Sequence, residues 1–375
     1  MTTTETDSRR LRLGTRGSRL ALTQSGQVAE ALIASGGGGA AAAAGKASEG
    51  SGGLSIDLVT VRTDGDGDRT PLRQLGGVGV FAARLRHALL DGEVDLVVHS
   101  FKDLPTQPVE GLEVICVPPR EDPRDALCAR DGLTLADLPE GARVGTGSPR
   151  RAAQLLAARP DLEVVDLRGN VPTRLARVRG LETVGVGTDE PVAPSRADAA
   201  GDLDAVVLAL SGLRRLGLEH CASEVLDLET MLPAPAQGAL AVEARAGEDS
   251  AELARAVAVL DDDPTRLAVT AERALMARLG AGCAAPVGAW AYLREGSQAP
   301  RVLVLRAVVT SLDGGQEVGC ELSTELPEAS GGPGAPGDTA AVRAAEALGV
   351  RAAEVLLDDG ADQIVDLHAN KPRRH

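Results

Sequence analysis

The residues of this sequence best suited to chemistry are arginines at turns and at the starts of predicted helices. They cluster in Ser148-Pro149-Arg150-Arg151 and in Arg168-Gly169-Asn170-Val171-Pro172-Thr173-Arg174. The planar guanidinium fork of arginine suits bidentate binding of carboxylates, and it also suits phosphates. Because the whole chain has a net charge of -15, fixed cations concentrated in two short segments indicate a pocket for a small polyanion.

The first arginine segment is expected to start a helix. Ser148 is a good N-cap and Pro149 suits the first helical position, so Arg150 and Arg151 lie in the first turn. The helix dipole disfavours cations there and favours anions, which makes sense if the arginines share an anionic ligand. An isolated Arg-Arg pair is more often a solvated surface feature. The same layout in Thr15-Arg16-Gly17-Ser18 favours the ligand site.

Two further segments carry groups that could react. In residues 99–105, Lys102 could bind an acidic group, and Asp103 could exchange a proton or stabilise a cation. Taken alone, Asp103 is better explained as a turn aspartate, and His99 as a hydrogen-bonded residue at a strand end. Cys283 lies in a Gly/Ala loop accessible enough for covalent attachment. A free cysteine is more often a small buried apolar residue, and no activating group is visible beside this one.

The composition excludes several classes of partner. Acidic residues outnumber basic ones by 54 to 39, which argues against nucleic acid as a partner. The five cysteines form no CxxC pair and the five histidines no HxH or HxxxH group, so we expect no disulfides, no metal site and a reducing cytoplasm. The polar segment 1–12 lacks a signal-peptide core, and no apolar run approaches the ~18 residues of a membrane helix, so no membrane partner is expected.

Alternating strands and helices are expected to position these groups, which predicts two α/β units. Strands are predicted at 11–14, 55–62, 95–99, 112–117, 143–146, 163–167 and 205–209, and helices at 18–35, 80–90, 149–158 and 171–177. In open α/β sheets ligands bind outside the carboxyl ends of the strands, where the arginine segments fall.

The remaining segments are predicted to form a smaller unit and two insertions. From about Asp261, a helix, strands at 287–293, 302–310 and 316–322, and a helix at 339–357 predict an α+β domain with an antiparallel sheet. Residues 36–53 are almost only Gly, Ala and Ser, and 185–202 are rich in Gly, Pro and Asp, so both are expected to be insertions without a packed core.

Together the motifs resemble the porphobilinogen deaminase, or hydroxymethylbilane synthase, family. The matching stretches, in the family's order and spacing, are residues 15–18, 99–103, 120–125, 145–151, 168–174, 210–217, 237–239, 270–274 and 282–283. The resemblance implies a transferase of tetrapyrrole biosynthesis that joins four porphobilinogen molecules head to tail into hydroxymethylbilane, with release of ammonia. It also implies a dipyrromethane cofactor bound through a thioether to Cys283, and Asp103 as the catalytic carboxylate.

The resemblance further implies which residues bind the acetate and propionate groups of the cofactor and substrate. These are Arg16, Ser18, Ser100, Lys102, Thr146, Ser148, Arg150, Arg151, Arg168, Gly169, Asn170, Arg174 and Arg215. This sequence departs from the family in the glycine-rich stretch 73–79, where relatives often carry lysines and only Arg73 is basic, and at Pro149, where many relatives have Leu.

The family's fold implies two domains like those of type II periplasmic binding proteins, which flank a cleft, and a third domain that carries the cysteine loop. The expected limits are 1–118 plus 235–258, 119–234 and 259–375, with the chain returning to the first domain near 235–247. A cytoplasmic monomer is expected. Two alternatives remain from the residues alone: a non-catalytic two-domain protein that binds a dicarboxylate or oxyanion, and a regulatory module that senses an acidic metabolite.

Overall fold

The computed structural model describes residues 10–36, 54–61, 80–181, 201–247, 250–282, 285–294, 301–327 and 339–367. Four features discussed above therefore lie outside the described residues: Cys283, the stretch 73–79, and all but the ends of the insertions at 36–53 and 185–202. In the described part of the chain, no helix is long and apolar enough to cross a membrane.

The structure contains strands and helices in alternation over most of its length. The strands are β1 (Arg10–Thr15), β2 (Ser55–Thr60), β3 (Leu96–Ser100), β4 (Leu112–Cys116), β5 (Asp125–Ala129), β6 (Arg143–Gly145), β7 (Glu163–Val165), β8 (Ala205–Ala209), β9 (Glu224–Val225), β10 (Leu240–Arg245), β11 (Val287–Leu293), β12 (Val302–Thr310) and β13 (Glu317–Glu325). The helices are α1 (Arg19–Ser35), α2 (Val80–Leu90), α3 (Pro149–Ala158), α4 (Val171–Leu175), α5 (Leu210–Arg215), α6 (Ala251–Leu260), α7 (Asp263–Leu279), α8 (Thr339–Asp358) and α9 (Ala361–Ile364).

The first sheet has the strand order β2-β1-β3-β10-β4. Strands β1, β2 and β3 are parallel, and β10 runs antiparallel to both β3 and β4. The insertion of β10 means that the chain returns to this sheet after it has built the second one. Helix α6 then packs on α1 through Ala256 and Leu253, which belong to the same buried apolar cluster as Val28 and Leu32.

The second sheet has the order β7-β6-β8-β5-β9, with β7, β6 and β8 parallel and β5 antiparallel to its neighbours. Its loops approach one another closely at Gly147, where an added Cβ would lie 2.5 Å from the Leu167 carbonyl oxygen. Only glycine fits that contact, so the turn after β6 lies directly against the end of the β7 segment.

The third sheet is antiparallel, with the order β11-β12-β13, and α7 and α8 cover it. Helix α8 packs tightly on α7 because Gly349 has no side chain: an added Cβ would lie 2.1 Å from the Ala271 carbonyl oxygen. The predicted fold class, two α/β units and a small α+β unit with an antiparallel sheet, is confirmed.

Candidate active site

A cavity of about 240 Å³ is lined by segments from all three units of the fold. Its volume is slightly below the ~300–1,000 Å³ usual for ligand pockets. Its lining brings together the turn after β3, the arginine segments of the second sheet and the end of α7. The charged or polar residues predicted for the site that line it are Lys102, Asp103, Ser148, Arg150, Arg151, Arg168 and Arg174. With Asp166 and Arg273, which also line it, the cavity presents two exposed carboxylates and six cations.

Lys102 and Asp103 occupy a single 3₁₀ turn, Phe101–Asp103, directly after β3. Phe101 is buried and its N–H donates to the carbonyl of Ala239 (3.1 Å), the residue just before β10. This hydrogen bond holds the turn against the start of β10. Lys102 Nζ donates to Gln237 Oε1 (3.1 Å), whereas the Asp103 side chain is exposed. The pKa of Lys102 is lowered to about 8, chiefly by burial and also by Arg151, against the opposing effect of Asp103.

Strand β3 is held beneath this turn by a buried charge cluster. The Glu243 carboxylate of β10 accepts from Arg86 Nε and Nη2 at 2.8–3.0 Å, and His99 Nε2 lies 3.1 Å from Glu243 Oε2. These interactions lower the pKa of Glu243 against the opposing effect of its burial, which is the largest single influence. His99 is thus hydrogen-bonded in the strand, as expected, and it does not line the cavity.

Arg150 and Arg151 are buried, with only 3% and 6% of their surface exposed, and both pair with Asp125. Arg150 Nη2 lies 2.7 Å from Asp125 Oδ2 and its Nη1 donates to the Leu232 carbonyl (2.6 Å). Arg151 Nε and Nη2 donate to Asp125 Oδ1 and its Nη1 donates to Val207. Since arginine carries five N–H donors, both residues have structural bonds and retain capacity for a ligand.

The buried Nε of Arg150 has no hydrogen-bond partner among the described residues. A buried donor without a partner is costly, so this atom is suited to an incoming acceptor such as a carboxylate oxygen.

Gln237 connects the lysine of the turn to the buried aspartate. Its Oε1 accepts from Lys102 Nζ at 3.1 Å and lies 3.5 Å from Arg151 Nη2. Its Nε2 donates to Asp125 Oδ1 and to the Pro123 carbonyl, both at 2.8 Å. The side chain is completely buried, so Gln237 fixes the relative positions of the turn and the arginines.

The Arg168–Arg174 segment forms a short capped turn. Asn170 Oδ1 caps α4 by accepting from Thr173 N (2.9 Å). Gly169 has φ 116, a conformation that favours glycine, and Arg174 Nε donates to its carbonyl (2.7 Å). Burial and the neighbouring Arg151 and Arg168 lower the pKa of Arg174 to about 10. An anionic ligand would relieve this crowding of like charges.

Several of the predicted residues make structural hydrogen bonds, and seven of the predicted residues do not line the cavity. Ser18 and Ser148 are N-caps of α1 and α3, so their oxygens accept from Ala21 N (3.3 Å) and Arg151 N (3.5 Å). Ser100 Oγ donates to Gln24, and Arg215 Nη2 donates to the Gly238 carbonyl at 2.6 Å. The predicted residues outside the lining are Arg16, Ser18, Ser100, Thr146, Gly169, Asn170 and Arg215.

Three residues with structural bonds at this site were not identified from the sequence: Asp125, Gln237 and Arg273. All three fall in stretches with family resemblance, 120–125, 237–239 and 270–274. Nothing in those stretches alone could reveal their partners, which are 25 or more residues away for the bonds described here.

A cleft between α/β units that is lined by arginines, with exposed carboxylates beside them, defines a protein that binds a small polyanion. Residues 11–253 match the family model for porphobilinogen deaminase, dipyromethane cofactor binding domain, and residues 266–358 match the model for porphobilinogen deaminase, C-terminal domain. The chain belongs to the porphobilinogen deaminase family.

Relatives support the same assignment over nearly the full length. The porphobilinogen deaminase of Cutibacterium acnes is 51% identical over 366 residues, covering 97% of this chain and 99% of its own. That of Micrococcus luteus is 50% identical over 373 residues, covering 94% and 93%. The predicted activity is therefore confirmed: the chain is a transferase of tetrapyrrole biosynthesis that joins four porphobilinogens on a dipyrromethane cofactor and releases hydroxymethylbilane and ammonia.

Similarity to solved structures is weak. A TRAP periplasmic solute binding protein from Roseobacter denitrificans, with bound β-D-glucuronate, aligns with a TM-score of 0.31 at 10% identity, covering 68% of this chain and 78% of its own. A second TRAP periplasmic solute binding protein, from Bordetella bronchispeptica, aligns with a TM-score of 0.32 at 13% identity, covering 66% and 77%.

Proposed function

We propose that Asp103 is the catalytic carboxylate of this transferase and that Cys283 carries the dipyrromethane. We also propose that the acetate and propionate groups of cofactor and substrate bind to Arg16, Ser18, Ser100, Lys102, Thr146, Ser148, Arg150, Arg151, Arg168, Gly169, Asn170, Arg174 and Arg215. The observation that carries the proposal is the shared cavity, which is lined by Asp103, by six cations and by Gly282, the residue before Cys283.

The residues of the cavity fit a polycarboxylate group. Arg150 Nε is buried without a partner, and crowding or burial lowers the pKa of both Lys102 and Arg174. Carboxylates would accept hydrogen bonds from these groups and offset their mutual repulsion. When bound, the dipyrromethane supplies the pyrrole carbon to which the next unit is joined.

Cys283 is proposed for the attachment because the described cysteines are poorly placed for it. They do not line the cavity, and burial raises the pKa of the thiols of Cys116 and Cys128 to about 12 and of Cys320 to about 11. A thiol with so high a pKa is a weak nucleophile at neutral pH. Cys283 instead comes directly after Ala281 and Gly282 in the sequence, and these two residues line the cavity.

Asp103 is suited to stabilise a cation. Its carboxylate is exposed in the cavity, and it lies near enough to Lys102 and Arg174 to affect the pKa of both. There it can accept a hydrogen bond from a pyrrole N–H and stabilise the positive charge that develops as ammonia leaves. Lys102 and the arginines hold the substrate carboxylates, so the reacting ring is oriented before the reaction.

The division into domains is also a proposal: 1–118 plus 235–258, 119–234, and 259–375. It is supported by the separate apolar clusters beneath the three sheets. We further propose that the protein is a cytoplasmic monomer without nucleic-acid partners, in keeping with its net charge of -15.

The test is Asp103→Asn, with Asp91→Asn as the control because Asp91 is an exposed turn aspartate outside the cavity. Removing the negative charge should lower kcat by ~100-fold or more, while intact mass shows that the cofactor is present. Near-normal turnover in Asp103→Asn would remove Asp103 from the mechanism.

A further inference from the structure

We propose that Arg273 of α7 is a positioning residue, which acts by holding the Phe101–Pro105 turn so that Asp103 points into the cavity. The inference rests on the proposed catalytic role of Asp103. It assigns to the C-terminal unit a direct part in the geometry of the reaction, through a side chain that reaches across to the first sheet's loop.

The Arg273 side chain contacts the turn at three backbone carbonyls and at one aromatic ring. Its Nη1 donates to the carbonyls of Phe101 (3.2 Å) and Leu104 (2.7 Å), and its Nη2 donates to that of Pro105 (2.7 Å). The guanidinium carbon also lies 4.4 Å from the centre of the Phe101 ring, within range for a cation–π contact. These contacts enclose Asp103 on both sides along the chain.

The turn depends on such donors because it lies outside the sheet ladder. Besides the hydrogen bond within the 3₁₀ turn itself, its backbone makes the bonds Phe101 N to Ala239 O and Leu104 N to Phe101 O. The carbonyls of Leu104 and Pro105 would otherwise have to find water at a partly buried site. Arg273 therefore fixes the side of the turn that the Ala239 bond does not reach.

The position of Arg273 is itself fixed by its neighbour in sequence. Glu272 is completely buried, pairs with Arg120 (2.7 Å), and accepts from the N–H groups of Ala236 (2.5 Å) and Ala291 (2.7 Å). Helix α7 is thus anchored to the segments around Arg120 and Ala236 and to β11, so the backbone that carries Arg273 is held in place.

Helix α7 also relates the turn to the rest of the cavity. It ends at Gly280, which adopts the left-handed conformation with φ 64, and Ala281 and Gly282 then line the same cavity as Asp103. Arg273 lies seven residues before Gly280, or ~10 Å along the helix axis. One rigid helix therefore sets both the orientation of the turn and the position of that wall.

Without the hydrogen bonds of Arg273 to the turn, Asp103 should be displaced, although Asp103 and the proposed carboxylate-binding residues are still present. A displacement of about 1 Å in a catalytic group can lower the rate by ~100-fold, so kcat should fall while KM changes little. Lysine keeps the charge but lacks the planar fork that reaches three carbonyls, so Arg273→Lys should restore only part of the activity.

The experiment compares Arg273→Ala and Arg273→Lys with Arg278→Ala, which removes an exposed arginine from the same helix. Steady-state kcat and KM for porphobilinogen are measured beside the cofactor content by intact mass, with and without guanidinium ion at a non-denaturing concentration. We expect kcat to fall by at least ~30-fold in Arg273→Ala and ~10-fold in Arg273→Lys at full cofactor content, with partial rescue of Arg273→Ala by guanidinium. Arg278→Ala should match the wild type.

Two results would overturn the proposal: an unchanged kcat in Arg273→Lys, or a fall in kcat that only follows the loss of cofactor or of folded protein. If Arg273→Ala does not fold, the kcat and cofactor content of Arg273→Lys test the proposal by the same two criteria. Asp103→Asn is measured in parallel. If Asp103→Asn is active, the catalytic role of Asp103 is refuted. If Asp103→Asn is inactive while Arg273→Lys has the wild-type kcat, only the positioning role of Arg273 is refuted.

Discussion

Lys102 offers a direct probe of the charge balance in the cleft, because it is the only lysine among the described residues. The other two lysines, Lys46 and Lys371, lie outside them. The pKa of Lys102 is lowered from 10.5 to about 8, and burial is the largest cause. Arg151 and Arg150 also lower it, and Asp103 and Asp125 oppose them. We predict a pKa near that value in cofactor-free protein and a higher one once carboxylates of the cofactor bind.

The same shift has a consequence for stability. Between the two pKa values the unfolded chain binds the lysine proton and the folded chain does not, so stability rises with pH over that range. The fall in the Lys102 pKa from 10.5 to about 8 corresponds to a stability penalty of ~3.4 kcal/mol below the folded pKa, and the penalty falls to ~2.0 kcal/mol at pH 9. Raising the pH from 7 to 9 should therefore stabilise the cofactor-free wild type by ~1.4 kcal/mol relative to Lys102→Met.

Two assays check this prediction. Labelling lysine with carbon-13 at Cε gives three NMR signals, and Lys102→Arg identifies the one that titrates early. Urea unfolding of the wild type and Lys102→Met at pH 7 and pH 9 then measures the stability difference, since other groups cancel in the comparison. A Lys102 pKa near 10.5 in cofactor-free protein, or an equal pH response of the two proteins, would refute the reasoning.

Three further predictions concern the surroundings of the site. Arg150→Leu should lower the free energy of unfolding by ~2–4 kcal/mol in urea denaturation, because buried Asp125 loses one of its two cations; a loss below ~1 kcal/mol would contradict the ion-pair account. Gly147→Ala should cost ~1–3 kcal/mol and reduce cofactor content, since its Cβ would lie 2.5 Å from the Leu167 carbonyl oxygen, and an unchanged melting temperature would refute this close approach. Deleting residues 37–52 should change stability by less than ~1 kcal/mol and leave kcat intact, because loop-closure cost varies slowly with length; a large loss of activity would give the segment a role.

Local patterns predicted most elements because periodicity and capping act over a few residues. Helix α3, for instance, has the predicted limits, since Ser148 and Pro149 define its start. Strand β5 was not predicted: all five of its residues are buried, so it shows no alternation, and it begins with Asp125, a charged residue that makes sense only beside the two arginines. Helix α6 was also not predicted, although Ser250 caps it.

The contacts of the site could not be predicted from the sequence for a different reason. Arg150 and Arg151 were expected to face the ligand, yet both are buried against Asp125, which lies 25 and 26 residues earlier. The contact between Lys102 and Gln237 spans 135 residues and depends on the antiparallel insertion of β10. The hydrophobic periodicity of the sequence predicts which residues are buried, but the order of the strands in the sheets determines which of the buried residues are in contact.

The proposed function depends on a dipyrromethane attached to this cleft through Cys283. The attachment is tested by the intact mass of the purified protein and of Cys283→Ser, before and after incubation with porphobilinogen. We expect the wild type to exceed its sequence mass by two linked pyrrole units, and Cys283→Ser to have the bare polypeptide mass under both conditions. A wild-type protein that stays at the bare mass after incubation, or a Cys283→Ser variant that carries the same added mass, would contradict it.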